Sequence, residues 1–279
     1  MRYSWIYSDF SEDFNWIRQK ITEEISAYPK TDKSLAEYYV KKRLFILPDV
    51  SRRINFNPYL GRPVPYTVFW FGEAFGLERK VTRMLALALI YYSIAITIHD
   101  DIIDLEISRE LEYPALEKFF FKKYLEVFEK LFSQDSEFWF YFDYWLKEFT
   151  RYEAWNHTFD LNCCSDPFSE AFLKESSRYF SSTVMPTLSG LALISENKNE
   201  IPKLERFVEH FSMAWRIYDD LKDWKTDLRT KNLNCSSILI YARNNAGREQ
   251  ELDEKGVSSM FLSTVFVRRA YGAMLDFFK

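Results

Sequence analysis

Residues 84–104 read MLALALIYYSIAITIHDDIID, an uncharged run that ends in three aspartates. From residue 84 to 98 only one serine and one threonine interrupt the apolar and aromatic side chains, which is typical of a helix at the centre of a helical bundle. Asp100 and Asp104 are four residues apart, so they share one helix face at about 6 Å along the axis. The stretch therefore predicts a buried helix that ends in inward-pointing carboxylates.

A second acidic stretch lies much further along the chain, where residues 219–223 read DDLKD. It belongs to a predicted helix over 202–229, in which an apolar row continues into an acidic row at i, i+4 and i+8. The apolar members are Val208, Phe211 and Trp215. The acidic members are Asp219, Asp223 and Asp227. Two helices are thus expected to carry carboxylates where a buried face should continue.

Carboxylates in these positions create a conflict that a cation would resolve. A charge that continues a buried apolar row is costly unless it is paired. Opposed across a cavity, the two acidic groups would also repel each other strongly. Mg2+ binds carboxylate and phosphate oxygens, so the pattern predicts a shared magnesium site whose cargo is a diphosphate. The alternative is that each acidic stretch is a solvated helix end or a cap.

Helical periodicity covers most of the chain, with Pro-containing or polar breaks between successive segments. Only 7 Gly and 9 Pro occur, too few for the many tight turns of a β-sandwich or barrel. No long Gly/Ser tract, repeat or low-complexity block divides the sequence, so we predict a single all-α domain over residues 1–279. The predicted helices are 11–28, 32–47, 64–75, 78–105, 114–132, 135–157, 168–195, 202–229, 233–246 and 256–278.

The composition favours a soluble cytoplasmic enzyme. Aromatic residues make up 19% of the chain, more than an ordinary core requires, and the net charge of −4 argues against nucleic acid as a partner. Cys163, Cys164 and Cys235 lack zinc-site spacing and suit reduced thiols. The first residues lack a signal-peptide pattern. The run 84–98 is shorter than the ~20 residues that a membrane span needs, so we expect no transmembrane segment.

With these motifs the chain resembles the isoprenoid synthase superfamily over about residues 61–234, whereas residues 1–55 match only as generic helices. HDDIID at 99–104 is similar to the first Asp-rich motif of trans-prenyltransferases, and DDLKD is similar to the second. Residues 219, 223 and 227 also fit the spacing of the cyclase triad Asn-x-x-x-Ser-x-x-x-Glu. The resemblance implies a helical bundle around a central cavity, where three Mg2+ ions bind a prenyl diphosphate. The implied metal ligands are Asp100, Asp101, Asp104, Asp219, Asp220, Asp223 and Asp227.

The elements that bind a second substrate in that superfamily are mostly missing. Chain-elongating members bind isopentenyl diphosphate through Gly-Gly-Lys-x-x-Arg-Pro, a His or Gln before the first motif, and an Arg pair after it. Here only Arg62-Pro63 remains of the first element, and Ser93 replaces the His or Gln. Glu110 follows Arg109 where the second arginine would stand, and its charge would repel a diphosphate. These departures favour an enzyme that uses one prenyl diphosphate.

Residues 178–182, RYFSS, resemble the diphosphate sensor of terpene cyclases, a segment that breaks or kinks its helix. Consecutive hydroxyl side chains and Pro186 are consistent with such a kink. The alternative for Arg178 is a surface arginine of an amphipathic helix, and for the other cations it is solvated helix-end charge. The diphosphate-binding candidates are Arg178, Lys222, Arg229, Lys231 and Arg109. The catalytic candidates are Asp100, Asp104, Asp219, Asp223 and Arg178.

A carbocation would need a dry cavity with aromatic faces, which stabilise a cation by roughly 0.5–2 kcal/mol each. The candidates for this lining are Phe69, Tyr92, Ser93, Ile96, Trp155, Phe180, Phe211 and Trp215. For each aromatic candidate, core packing is the alternative. The run FWFYF at 138–142 is expected to form a hydrophobic homodimer face, with a membrane-contact patch as the alternative.

Taken together, the chain is expected to be a Mg2+-dependent class I terpene synthase. It would ionise a linear C15–C20 prenyl diphosphate and release diphosphate with a cyclic or rearranged terpene. The alternatives within the resemblance are a chain-elongating trans-prenyltransferase and a condensing enzyme of the squalene or phytoene type. An alternative of another class is a non-catalytic subunit that binds a prenyl diphosphate.

Overall fold

The computed structural model describes residues 10–28, 33–44, 64–103, 112–159, 164–230, 237–246 and 253–261. Of these residues 87% are helical and none is in a strand, which confirms the all-α prediction. The helices are α1 (Ser11–Ser26), α2 (Lys33–Leu44), α3 (Val64–Ala74), α4 (Arg79–Ile103), α5 (Glu112–Leu131), α6 (Phe138–Thr158), α7 (Glu170–Ile194), a 3-10 turn (Lys198–Glu200), α8 (Ile201–Thr230), α9 (Ser237–Ala246) and α10 (Glu254–Phe261).

Two predicted helices differ from the observed ones in an informative way. The helix predicted from 202 begins at Ile201, because a proline is tolerated in the first turn, where its missing N–H would have no helical partner. The helix predicted over 256–278 is described as Glu254–Phe261, and the rest of that prediction lies outside the described residues.

The chain divides into two compact units, and the prediction of a single domain stays a prediction. The first unit contains Met1–Trp139 and Thr187–Lys198, and therefore α1 to α5. The second unit contains Phe140–Pro186 and Asn199–Lys279, and therefore α8 to α10. The two acidic stretches consequently belong to different units.

Helix α4 is the centre of the first unit, as its apolar sequence predicts. It packs against α5, α3, α2 and α1. Residues 85–92 are buried on every side of the helix, so no face of this segment remains for water. This helix carries the first acidic stretch at its last described turn.

Helix α4 also tests the expectation about membranes. Its residues Arg79–Ile102 are long and apolar enough to cross a bilayer, so the short uncharged run was an incomplete argument against a span. The apolar window of this helix is 78% buried inside the protein, as in the core helix of a soluble protein. The cytoplasmic location stays a prediction.

Charged side chains join α1 to the central helix. Asp13 of α1 is fully buried and accepts hydrogen bonds from Arg79 and Arg83 of α4, with the Arg83 Nε to Asp13 Oδ1 distance at 2.5 Å. The Arg79 guanidinium also lies over the rings of Phe10 and Phe69, where it gains a cation–π contribution. Because two guanidiniums neutralise one buried carboxylate, α1 is bound to α4 by more than apolar packing.

The second unit has its own apolar core between α7, α8, α9 and α10. It includes Leu173 of α7, Met213 and Ile217 of α8, and Ile238 of α9, all of them fully buried. Helix α9 packs against both α8 and α10. This core holds one face of α8, the helix that carries the second acidic stretch.

We expect Asp13→Asn to lower the free energy of unfolding by about 3 kcal/mol, because it removes the charge that pairs two partly buried arginines. Urea denaturation followed by circular dichroism measures this loss. Glu12→Gln is the matched control, since Glu12 is exposed on the same turn. Equal effects of the two substitutions would contradict the prediction.

Candidate metal and diphosphate site

The first acidic stretch shows an asymmetry between its two described aspartates. Asp100 is half-buried, whereas Asp101 is only 9% exposed. The hydroxyl of Tyr39 in α2 donates a hydrogen bond of 2.8 Å to Asp101 Oδ2. Asp104, the third predicted ligand of this stretch, lies outside the described residues. The carboxylate of Asp101 is therefore bound by a protein donor.

Tyr39 is a residue that the sequence analysis did not select. Its ring is fully buried, and burial together with the Asp101 carboxylate raises the pKa of the Tyr39 phenol well above its ordinary value. The phenol consequently stays protonated and acts as the donor in this hydrogen bond. No motif surrounds Tyr39, and its partner is 62 residues away, so no local signal could have identified it.

His99 has a comparable contact with α5, another neighbour of α4. Its Nδ1 lies 3.2 Å from Oε1 of Glu117 in α5. Both side chains are half-buried. Helices α2 and α5 thus each contact a side chain at the acidic turn.

The second acidic stretch has the register that the sequence predicted. Helix α8 runs without interruption from Ile201 to Thr230, so Asp219, Asp223 and Asp227 fall at i, i+4 and i+8 on one face of its backbone. The side chains of these three residues, and of Lys222, lie outside the described ones. Metal binding by the three aspartates stays a prediction.

Asp220 repeats the behaviour of Asp101. It is 3% exposed, and its Oδ1 lies 3.2 Å from the Arg216 guanidinium one turn earlier in α8. This i, i+4 spacing was visible in the sequence and could have identified Arg216 as the partner. In both acidic stretches the second aspartate is buried and paired with a donor from the protein, and in the first stretch Asp100 is more exposed than Asp101.

The meeting of the two acidic stretches at one cavity stays a prediction, since they belong to different units. Among the described side chains, no group of three or more His, Cys, Asp or Glu residues is placed to bind a metal ion. The side chains of four of the seven predicted ligands lie outside the described ones, namely Asp104, Asp219, Asp223 and Asp227.

Arg178 is largely buried and ion-paired, and its role in diphosphate binding stays a prediction. Its side chain is 14% exposed and forms ion pairs with Glu148 of α6 and with Glu175 one turn earlier in α7. Nε and Nη2 both donate to the Glu175 carboxylate, at 3.2 and 2.8 Å. Two carboxylates therefore neutralise the guanidinium before any diphosphate arrives.

Helix α7 continues through the predicted sensor segment, so the helix is not broken there. Ser182 and Thr183 each donate a side-chain hydrogen bond to the Tyr179 carbonyl, a pattern that bends helices. Pro186 lies inside the helix and has no N–H, so the helical bond to the Ser182 carbonyl has no donor.

The other predicted cations are only partly described. Arg229 is exposed, and its Nε donates to the backbone carbonyl of Lys225 at 3.0 Å. Arg109 and Lys231 lie outside the described residues. Diphosphate binding by these residues stays a prediction.

In the first unit, the aromatic lining candidates take part in core packing. Phe69 is fully buried against Phe14 of α1 and against Phe10, which precedes that helix. Tyr92 stacks on Tyr124 of α5, with centroids 4.5 Å apart. Ile96 of α4 is buried, whereas Ser93 of the same helix is half-buried.

In the second unit, the lining candidates Phe211 and Trp215 belong to an aromatic row on α8 that begins at Phe207. Phe207, Phe211 and Trp215 stack in succession at centroid distances of 6.0 and 6.1 Å. Phe180 of α7 packs against Phe211 at 5.8 Å. Phe211 and Trp215 are half-buried, and the same i+4 spacing continues to residue 219. Trp155 is half-buried against Phe172 elsewhere in this unit.

The run 138–142 is less exposed than a continuous dimer face requires. Phe138 and Phe142 are buried. Phe140 is 70% exposed, and Tyr144 one turn later is also exposed. A homodimer face at this run, which stays a prediction, would thus rest on two side chains of α6.

No family model matches this chain, and no curated protein matches it.

We expect Asp220→Asn to lower the free energy of unfolding by about 2 kcal/mol in EDTA, because it weakens a buried charged pair. Asp100→Asn is the matched comparison. Asp100 is a predicted metal ligand. Without metal, Asp100→Asn should lower the free energy of unfolding by less than half as much as Asp220→Asn, since removing one charge also relieves repulsion. Urea denaturation of both variants decides this, and equal losses would contradict the distinction between the two positions.

Proposed function

We propose that this chain is a Mg2+-dependent class I terpene synthase that ionises a linear C15–C20 prenyl diphosphate. One observation carries the proposal. The aromatic row Phe207, Phe211 and Trp215 on α8, in which Phe211 and Trp215 are half-buried, continues at the same i+4 spacing into Asp219, Asp223 and Asp227. A helix face with aromatic rings followed by carboxylates suits a ligand with an apolar tail and a metal-bound anionic head.

The donor chemistry of both acidic stretches fits Mg2+. All seven candidates are carboxylates, and oxygen is the ligand that this ion prefers. The buried hydrogen bond of Asp101 and the ion pair of Asp220 fix one member of each stretch. Bound Mg2+ would act as a Lewis acid that stabilises the departing diphosphate oxygens.

The chain's own residues would act on the two products of ionisation. Phe211 and Trp215 would present ring faces to the carbocation, and Phe180 would pack beside them. The Ser182 carbonyl, which lacks its helical donor, would orient its dipole towards the same charge. Arg178 would donate to the diphosphate through N–H groups that its two carboxylate partners do not occupy.

A single diphosphate substrate is favoured by the residues that replace a second binding site. Ser93 is short, neutral and half-buried on α4, where elongating enzymes have a His or Gln. Glu110 adds a negative charge beside Arg109. Both changes weaken binding of isopentenyl diphosphate. We further propose a cytoplasmic homodimer, for which exposed Phe140 and Tyr144 are the support.

The direct test is incubation of the purified protein with farnesyl or geranylgeranyl diphosphate and Mg2+, with and without isopentenyl diphosphate. We expect release of inorganic pyrophosphate and a terpene product, by gas chromatography, without the extender and not in EDTA. Asp100→Asn should lower kcat/KM by roughly 100-fold, as expected for a group that supports charge development.

Asp143→Asn is the matched control, since Asp143 is exposed on α6. A longer diphosphate formed only with the extender would replace the cyclase by an elongating prenyltransferase. A condensed product without diphosphate would indicate the squalene or phytoene type. Binding without pyrophosphate release would indicate a non-catalytic subunit.

The role of Arg178 can be separated from its ion pairs by two substitutions. Arg178→Lys keeps the charge but removes the planar fork, so kcat/KM should fall by about 10-fold or more. Glu148→Gln weakens the same ion pair while leaving the guanidinium, so it should lower the unfolding midpoint and keep most activity. Equal activity losses in the two variants would show that Arg178 acts only through the ion pair.

A further inference from the structure

We propose that Tyr39 is a positioning residue for the first acidic stretch, through its hydrogen bond to Asp101. This inference rests on the proposed function, because it concerns the same metal and diphosphate site. It also assigns a role to α2, which lies in the part of the chain that resembles the superfamily only as generic helices.

The hydrogen bond between Tyr39 and Asp101 is short, buried and supported by packing around the ring. The Tyr39 Oη to Asp101 Oδ2 distance is 2.8 Å, and both residues are buried. The ring of Tyr39 meets the edges of Tyr38 and Tyr113, at 5.2 and 6.4 Å between centroids. Helix α2 also packs directly against α4. Packing thus fixes the ring, and the ring fixes the direction of the hydroxyl.

The physical effect is on the geometry of the neighbouring ligand. A carboxylate with 9% exposure is costly without hydrogen bonds, so Asp101 is stabilised where the phenol can reach it. Asp101 shares its helical turn with Asp100, and both are predicted ligands. Fixing the Asp101 side chain therefore limits the movement of that turn, as partners of metal ligands do in other sites.

A purely structural Tyr39 would behave differently. It would stabilise the fold as other buried tyrosines do, without affecting how Mg2+ and pyrophosphate bind. Tyr124 provides the comparison, since it is equally buried in the same unit and stacks on Tyr92. The two roles differ in their effect on Mg2+-dependent pyrophosphate binding. A measurement of stability alone would not distinguish them.

The test compares Tyr39→Phe with Tyr124→Phe in the full-length protein. Calorimetric titration with inorganic pyrophosphate at several Mg2+ concentrations measures binding without catalysis. We expect Tyr39→Phe to weaken Mg2+-dependent pyrophosphate binding by roughly 10- to 100-fold, the usual range for partners of metal ligands. Tyr124→Phe should change it less than about 3-fold, within the spread of unrelated sites. Thermal unfolding of both variants confirms that each is folded at the titration temperature.

A double-mutant cycle with Asp101→Ala completes the experiment. In the Asp101→Ala background, Tyr39→Phe should have little further effect on binding, because its acceptor is gone. If Tyr39→Phe proves too unstable to titrate, Asp101→Ala and Asp100→Ala are compared alone. The positioning role then requires a measurable loss at Asp101 that is smaller than the loss at Asp100, and unchanged binding in Asp101→Ala overturns it.

The outcomes separate the two proposals. If the wild-type protein binds pyrophosphate with Mg2+ and Tyr39→Phe binds equally well, the positioning role is wrong and the proposed function stands. Equal effects of Tyr39→Phe in the presence and absence of Asp101 also overturn it. If the wild-type protein does not bind pyrophosphate with Mg2+, both proposals fail.

Discussion

The burial of aspartate at the end of an apolar helix is the constraint on which this protein depends. Helix α4 excludes water along most of its length, so a carboxylate at its last described turn must find its partner in the protein or in a cation. Tyr39 supplies that partner for Asp101, as Arg216 does for Asp220. One aspartate of each stretch is thereby fixed. The neighbouring ligand candidates belong to the same helices, α4 and α8.

The N-terminal helices α1 and α2 supply polar partners to the central helix α4. Helix α1 is bound to α4 through Asp13 and two arginines, and α2 is bound to it through Tyr39. Each contact is polar and has a buried carboxylate as its acceptor, so it specifies geometry as well as stability. The part of the chain without a recognisable motif therefore shapes the helix that carries the first acidic stretch.

Arg178 illustrates the electrostatic balance in the second unit. Glu148 and Glu175 hold its guanidinium in a largely buried ion-pair network. A diphosphate carries more charge than either carboxylate, but these carboxylates would also repel it. Under the proposed function, bound Mg2+ must offset that repulsion, which agrees with the need for several metal ions rather than arginine alone.

The sequence alone determined the helical class, the central position of α4 and the register of Asp219, Asp223 and Asp227. These follow from the spacing of apolar and acidic residues along one helix, which a 3.6-residue period encodes locally. Only the tertiary structure decided that Tyr39 binds Asp101, that Asp13 binds two arginines and that Arg178 is neutralised. Asp13 lies 66 and 70 positions from its two arginines, Tyr39 lies 62 positions from Asp101, and Arg178 lies 30 positions from Glu148. Such pairs arise from packing between helices rather than from any local pattern.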